Sequence, residues 1–181
     1  MSHDHFNGKF EVELKYRIRS KTAFLQHLNT LDYQVMLEDN TEFDQYFDFP
    51  DRRLKRENKS VCLREMQPSG IKLWIVKGPE TDRCEAVNVS DVNKSVKMLS
   101  TMGYLPVFRM EKMRSIYFVN KYHITLDHLQ GLGDFAEFAI MTDDESLLES
   151  YRRELIQLAS GFGLSDEDLE HRSYKELAGM D

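Results

Sequence analysis

Ionisable side chains alternate with apolar ones along Phe10–Arg19, where residue types and spacing first suggest chemistry. A period of two places the ionisable residues on one face of a β-strand. Carboxylates can hold a divalent metal through oxygen, and cationic side chains can hold phosphate oxygens. On one strand alone, a charged face turned to solvent is the favoured interpretation, and a site for metal and phosphate is the alternative. The residues are Glu11, Glu13, Lys15, Arg17 and Arg19.

Other candidate strands carry ionisable residues in the same amphipathic setting. Glu137 is the most informative, because it stands alone in the apolar segment 135–140 and is costly there unless a cation meets it. An outward position on an edge strand is the alternative for this residue. If the inward faces of a closed barrel carried the charge, acids and bases would line a polar tunnel. The further acids and bases are Arg64, Lys72, Lys77, Arg83, Glu85, Lys112, Arg114 and Asp127.

Composition bounds the class of protein. The 181 residues, of which 41% are hydrophobic, suit one domain with its own core, and we expect a single domain over residues 1–181. The formal net charge of −7 argues against a general nucleic-acid binder. Cys62 and Cys84 form no zinc-type motif and fit a reducing cytoplasm. The sequence contains no run of about 18 apolar residues, which a membrane-spanning helix would need. We therefore expect a cytoplasmic protein.

The charged residues lie on short strands that follow one another in meander order. Such an order predicts an α+β fold with a closed antiparallel barrel and helices packed outside. Helices are expected at 21–31, capped by Ser20, at 92–102, capped by Asp91, and at about 144–160. Two capping boxes, one beginning at Ser165 and one at Ser173, predict short terminal helices. The candidate strands are 9–18, 43–48, 61–66, 71–77, 83–89, 107–109, 113–119, 122–128 and 134–140.

The stretch "HFNGKFEVELKYR" resembles the opening of class IV adenylyl cyclases, with His5-Phe6 before the Glu-x-Glu-x-Lys triad. That triad marks the wider CYTH, or triphosphate tunnel metalloenzyme, superfamily. The resemblance covers nearly the whole chain in the expected order. Its later segments are "YFDFPDRRLKRENKSVCLRE", "LWIVKGP", "RCE", "EKMRSIY", "LDHLQGLGDFAEF" and "SYKEL".

The resemblance implies an eight-stranded antiparallel tunnel, a triphosphate substrate, Mg²⁺ or Mn²⁺, and a homodimer. Two departures stand out: Ala139 replaces a second late acid, and Arg64-Glu65-Met66 replaces Arg-x-Arg. The first weakens the case for a second metal site, and the second removes a phosphate contact. The implied roles are metal binding for Glu11, Glu13, Asp127 and Glu137, a triphosphate clamp of Lys15, Arg64, Lys77, Lys112 and Arg114, and tunnel lining for Arg17, Arg83 and Glu85.

The leading functional hypothesis is cyclisation of ATP to cyclic AMP with release of pyrophosphate. The ribose 3′-hydroxyl would attack the α-phosphorus in line with the leaving group. The residues expected to carry catalysis are Glu11, Glu13, Lys15 and Asp127. Phe6 could stack on adenine or close the end of the barrel. Two alternatives stay open: a triphosphatase of the same fold, acting on thiamine, inorganic or nucleoside triphosphate, and a non-catalytic polyphosphate- or nucleotide-binding module.

Overall fold

The structure, a computed structural model, describes residues 4–179. The α-helices are α1 (Lys21–Leu28), α2 (Arg53–Arg56), α3 (Val92–Thr101), α4 (Leu148–Gly161) and α5 (Tyr174–Leu177). Two short 3-10 helices span Asp4–Phe6 and Glu145–Leu147. The strands are β1 (Phe10–Ile18), β2 (Gln34–Asp48), β3 (Ser60–Gln67), β4 (Lys72–Lys77), β5 (Cys84–Asn88), β6 (Leu105–Val119), β7 (Tyr122–Leu129) and β8 (Gly133–Thr142).

All eight strands belong to one antiparallel sheet in the order β1-β8-β7-β6-β2-β3-β4-β5. The predicted α+β fold with eight antiparallel strands and helices is confirmed. The ladder of the described strands begins at β1 and ends at β5. Closure of the sheet into a barrel therefore stays a prediction.

Two strands are longer than the sequence predicts. β2 begins at Gln34 rather than at residue 43, and β6 joins the predicted segments 107–109 and 113–119. Both extensions contain buried polar residues, including Glu42 and Lys112. Buried charges break the alternation of apolar and polar residues on which strand prediction depends.

Helix prediction succeeds where a cap is decisive. Ser20 and Asp91 accept hydrogen bonds from Ala23 N at 3.1 Å and Lys94 N at 2.9 Å, as predicted. The capping box that begins at Ser173 is also present.

Two local predictions are wrong. The segment 51–59, for which no helix or strand is predicted, contains α2, because Asp48 accepts hydrogen bonds from the backbone of Leu54 and Lys55 at 3.0 and 3.2 Å and Leu54 is buried. The helix expected at Ser165 is a turn. There the backbone pairs with β1 instead: Arg17 N donates to Asp168 O and Glu170 N donates to Lys15 O, both at 2.8 Å.

The described residues divide into two compact units. The first unit contains residues 4–39 and 113–179, and the second contains residues 40–112. In the first unit, one face of β1, β7 and β8 packs against α1 and α4. The buried residues of this core include Val12, Leu14, Tyr16, Phe24, Leu28, Ile124, Leu126, Phe138, Ile140, Leu155 and Ala159.

The second unit has a separate core between one sheet face and α3. Phe47, Val61 and Leu63 are buried there with Leu99, and Trp74 packs against them. No described helix has both the length and the hydropathy needed to span a bilayer.

Candidate functional site

In the first unit, strand register brings the predicted site residues to one face. Residues paired across antiparallel strands point to the same side of a sheet. Lys15 pairs with Glu137, Glu137 pairs with Thr125, and Arg114 pairs with Asp127. The opposite face packs under the helices. The predicted site residues that share the first-unit charged face are Glu11, Glu13, Lys15, Arg17, Arg114, Asp127 and Glu137.

Arg114 lies between two buried carboxylates. Its Nε donates to Asp127 Oδ1 at 2.7 Å, and its Nη2 donates to Asp127 Oδ2 at 2.5 Å and to Glu137 Oε2 at 2.6 Å. The hydroxyl of Thr125 adds a longer hydrogen bond to Glu137 at 3.3 Å. The cation that a buried Glu137 requires is therefore Arg114.

The segment Asp168–Tyr174 covers part of this face. Tyr174 is buried, and its hydroxyl donates to Asp127 Oδ2 at 2.7 Å. Lys15 Nζ lies 4.3 Å from the centre of the Tyr174 ring and donates to the Arg172 carbonyl at 2.8 Å. Burial, with the nearby carboxylates of Glu137 and Asp127, raises the pKa of Tyr174 well above its ordinary value. The phenol therefore stays a hydrogen-bond donor.

Sequence analysis did not assign Tyr174 to the site. Its only signal is the "SYKEL" segment, which matches the resemblance without revealing a role. Because it lies far from Asp127 along the chain, only the fold could reveal the contact.

Aromatic residues surround the Glu11 end of β1. His123 Nε2 lies 3.3 Å from Glu11 Oε1, and His123 is buried. The ring of Phe6 is 4.8 Å from that of His123, and His5 stacks on Phe118 at 4.0 Å. Phe6 is 39% exposed, so part of its ring remains accessible to a ligand. His123 is a further residue that sequence analysis did not select.

The first-unit charged face suits a hard divalent cation by its donor chemistry. Glu13 pairs with Ala139, so it lies diagonally across from Glu137 on the neighbouring strand. Carboxylate oxygens are preferred ligands of Mg²⁺ and Mn²⁺. Both oxygens of Asp127 already accept hydrogen bonds. Within residues 4–179, no three acidic, histidine or cysteine side chains are arranged as a ready-made metal site. The donor set therefore fits, with carboxylate movement on binding.

The second unit contains a separate buried ion-pair cluster. Arg64 Nε donates to Asp44 Oδ1 at 2.7 Å and its Nη2 to Oδ2 at 2.8 Å. Nη2 also lies 2.8 Å from Glu42 Oε1. Lys112 Nζ donates to Asp44 at 3.1 Å and forms a close ion pair with Glu42. Burial would raise the pKa of Asp44, but Arg64 and Lys112 hold it well below its usual range.

Glu42 and Asp44 are the main acids absent from the sequence-based site. Their exposed fractions are only 1% and 2%. Polar residues follow one another through 38–42, which obscures the strand on which they lie. The alternation of Asn40, Glu42 and Asp44 is the signal that could have indicated them.

Strand register places the remaining predicted residues of the second unit on different faces of the sheet. Arg64 pairs with Leu73, which puts Lys77, four residues later on β4, on the same face as Arg64. Lys77 is exposed. Glu85 pairs with Val76 and so points to the opposite face, and its carboxylate lies 3.2 Å from Arg83. The structure brings Arg64, Lys77 and Lys112 to one face and does not bring Glu85 there.

The comparisons with known proteins point in one direction. The CYTH domain matches residues 9–174 of this chain. The protein named "Adenylate cyclase CyaB" of Aeromonas hydrophila is 58% identical over 177 residues, covering 98% of this chain and 93% of the relative.

Solved structures agree with this similarity. The X-ray structure of a proposed adenylate cyclase from Vibrio parahaemolyticus is 54% identical, with a TM-score of 0.93, and the match covers 96% of this chain and 99% of that one. A protein from Pyrococcus horikoshii is 26% identical, with a TM-score of 0.80, over 93% of this chain and 98% of that one.

Proposed function

Because the chain belongs to the CYTH domain family, we propose that it is a class IV adenylyl cyclase, converting ATP to 3′,5′-cyclic AMP and pyrophosphate. The observation that carries the proposal is the first-unit charged face, where the acids and bases of the Glu-x-Glu-x-Lys triad share a side with Glu137. The name of the Aeromonas relative supports cyclisation as the reaction.

The cationic side chains bind the triphosphate in this proposal. They take up the negative charge that grows on pyrophosphate as the bond to the α-phosphorus breaks. Arg114 begins the reaction already oriented, because Asp127 holds it through two hydrogen bonds. The proposed clamp consists of Lys15, Arg64, Lys77, Lys112 and Arg114.

The carboxylates of the first unit provide for metal binding. Glu11, Glu13 and Glu137, with Asp127, would hold Mg²⁺ or Mn²⁺. When bound, such an ion would make the 3′-hydroxyl more acidic and would offset negative charge on the triphosphate. Tyr174 keeps its proton and donates to Asp127, so it acts on the orientation of that carboxylate.

Several finer expectations form part of the same proposal. Phe6 is assigned to the adenine side, since its exposed ring lies near Glu11 through His123. Arg17 and Arg83 are assigned secondary, tunnel-lining roles, whereas Glu85 is left out because it points to the opposite face. The closed barrel, the single domain, the homodimer and the cytoplasmic location are carried forward as proposals from the resemblance and the composition.

One assay tests the reaction itself. The purified protein is incubated with ATP and Mg²⁺ or Mn²⁺, and the products are separated by chromatography. Cyclic AMP with pyrophosphate is the expected outcome. ADP with orthophosphate would instead identify the triphosphatase that the sequence left open. Nucleotide binding without turnover, across several triphosphates, would identify a binding module.

A further inference from the structure

We propose that Glu42 and Asp44 are positioning residues of the second-unit clamp, defined as Arg64 and Lys112. They fix both cations before substrate arrives, and their charge keeps the clamp from retaining free pyrophosphate. This inference rests on the proposed function, because it assigns the clamp to phosphate.

The geometry supports positioning. Asp44 binds Arg64 through both of its oxygens, an arrangement that fixes the plane of a guanidinium. Glu42 lies within ion-pair distance of both clamp cations. The hydroxyl of Tyr46 approaches Asp44 at 3.4 Å, which adds a weak contact. Each cation therefore contacts two carboxylates on β2.

Charge balance supports the second role. Two buried carboxylates meet buried Lys112 and partly exposed Arg64, so these four side chains have no formal net charge. An anion that approaches Arg64 or Lys112 must share their donors with the carboxylates and is repelled by them. The pKa of Asp44 lies far below neutrality, so its charge persists under assay conditions.

Stability alone is a poor reason for such a cluster. Burying four charges costs desolvation, and well-packed apolar residues in their place are often as stable or more so. The cluster also adjoins Cys62, and burial, followed by the charge of Asp44, raises the pKa of its thiol to about 12. The local environment is therefore poorly solvated, which strengthens the repulsion between carboxylates and an added anion.

The test measures pyrophosphate binding without nucleotide, by calorimetry, in the wild type, Glu42→Gln and Asp44→Asn. We expect each variant to bind pyrophosphate at least about fivefold more tightly, because one opposing charge is removed. We also expect turnover of ATP to fall about tenfold or more, since Arg64 and Lys112 lose their orientation. The matched control is Asp51→Asn, an exposed acid 3.2 Å from Arg53 in the same unit.

A purely structural role predicts the opposite binding result. Pyrophosphate affinity in Glu42→Gln and Asp44→Asn that equals or falls below the wild-type value would overturn the inference. Failure of the wild type and of both variants to bind pyrophosphate would overturn the clamp itself, and with it the proposed function.

A second pair of variants covers the case in which the single substitutions do not fold. Lys112→Gln is compared with the double variant Lys112→Gln/Glu42→Gln. The double variant removes both charges of the Lys112–Glu42 ion pair, so neither is left buried without the other. In the single variant Glu42 remains 2.8 Å from Arg64 and repels an anion that approaches this arginine. The double variant lacks that carboxylate, so it should bind pyrophosphate more tightly than the single variant. Equal affinities in this pair would also overturn the inference.

Discussion

Asp127 and Glu137 share one guanidinium but differ in how they are held. Asp127 accepts two hydrogen bonds from Arg114 and one from Tyr174. Glu137 accepts one from Arg114 and a longer one from Thr125. Because both carboxylates bind the same Nη2 atom, they lie close together in a buried place and repel each other.

This difference predicts opposite effects on stability. Asp127→Asn should lower the free energy of unfolding by about 3 kcal/mol, because it breaks a buried bidentate pair. Glu137→Gln should leave the melting temperature unchanged or raise it, since it removes a crowded charge and keeps an acceptor. Thermal unfolding without ligand measures both. A clear drop in the melting temperature of Glu137→Gln would contradict the charge-crowding explanation.

Two lysines at opposite ends of β4 form a matched pair for activity. Lys77 lies on the face of Arg64, whereas Lys72 pairs with Glu65 on the other face. Lys77→Ala should reduce turnover of ATP at least about 100-fold, because a preorganised charge contact is worth a few kcal/mol. Lys72→Ala should keep near-normal turnover. Equal rates in the two variants would remove Lys77 from the clamp.

Glu13 provides the corresponding test on the metal side. Glu13→Gln should also lower turnover at least about 100-fold, since a carbonyl oxygen replaces a charged ligand. It should weaken Mn²⁺ binding, which calorimetry measures independently of activity. Glu149→Gln, an exposed position on α4, is the control. Unchanged Mn²⁺ affinity in Glu13→Gln would argue against metal binding at this residue.

At the scale of elements, the segment Asp168–Tyr174 protects the outer edge of β1. Backbone hydrogen bonds join Arg17 to Asp168 and Glu170 to Lys15, and the side chains of Arg17 and Arg172 bind Glu170. A strand at the end of a sheet otherwise exposes unpaired backbone groups. The segment therefore joins edge protection to the site, because it also carries Tyr174.

The pH dependence of this attachment follows from Glu170. Hydrogen bonds from Arg172, and then from Arg17, lower the pKa of Glu170 from 4.5 to about 2. A carboxyl whose folded-state pKa is lowered stabilises the fold above its unfolded pKa. That contribution is lost as the pH falls from about 4.5 towards about 2.

Glu170→Gln should therefore lower the free energy of unfolding at neutral pH by about 1 kcal/mol or less, since the partner arginines are half exposed. The variant should accordingly unfold at a lower temperature than the wild type. The difference should shrink as the pH falls towards about 2 and vanish below it. Melting curves of both proteins across this range measure it. A difference that stays constant with pH would show that charge is not its cause.

The elements differ in how far sequence could predict them. β1 was predicted almost to the residue, because its charges and its core residues alternate without interruption. The first half of β2 was not predicted, since Glu42 lies on a buried face and contacts cations that are distant in sequence. The period of the apolar residues indicates which side of a strand is buried. The residues of a buried ion pair are of the same types as those of an exposed pair, so this pattern cannot identify them.

At the scale of the whole molecule, the chain has a formal net charge of −7 but also contains clusters in which cations pair with buried carboxylates. Most of the acids lie elsewhere, so the overall sign excluded a general nucleic-acid binder but could not locate a phosphate site. The ordered motifs of the CYTH family supplied that location. Closure of the sheet into a barrel stays a prediction, because the edge partner of a strand depends on chain geometry.

Ligand binding should stabilise the molecule, because tripolyphosphate and Mn²⁺ bind the folded protein in preference to the unfolded chain. Tripolyphosphate with Mn²⁺ at about 100 times its Kd should raise the free energy of unfolding by about 2.7 kcal/mol. The measurement is thermal unfolding with and without both ligands. Sodium sulfate at equal ionic strength is the control and should give a smaller shift. Equal shifts would indicate a general salt effect.

The contact between Lys15 and the carbonyl of Arg172 spans 157 positions of the chain. During translation, β1 leaves the ribosome long before the residues that cover its charged face are made. Until then Asp127 lacks the phenol of Tyr174, and the edge of β1 is open to other nascent chains. Maturation of this protein therefore finishes after most of its sheet has been synthesised, and molecular chaperones have the whole of that interval in which to shield the first strand.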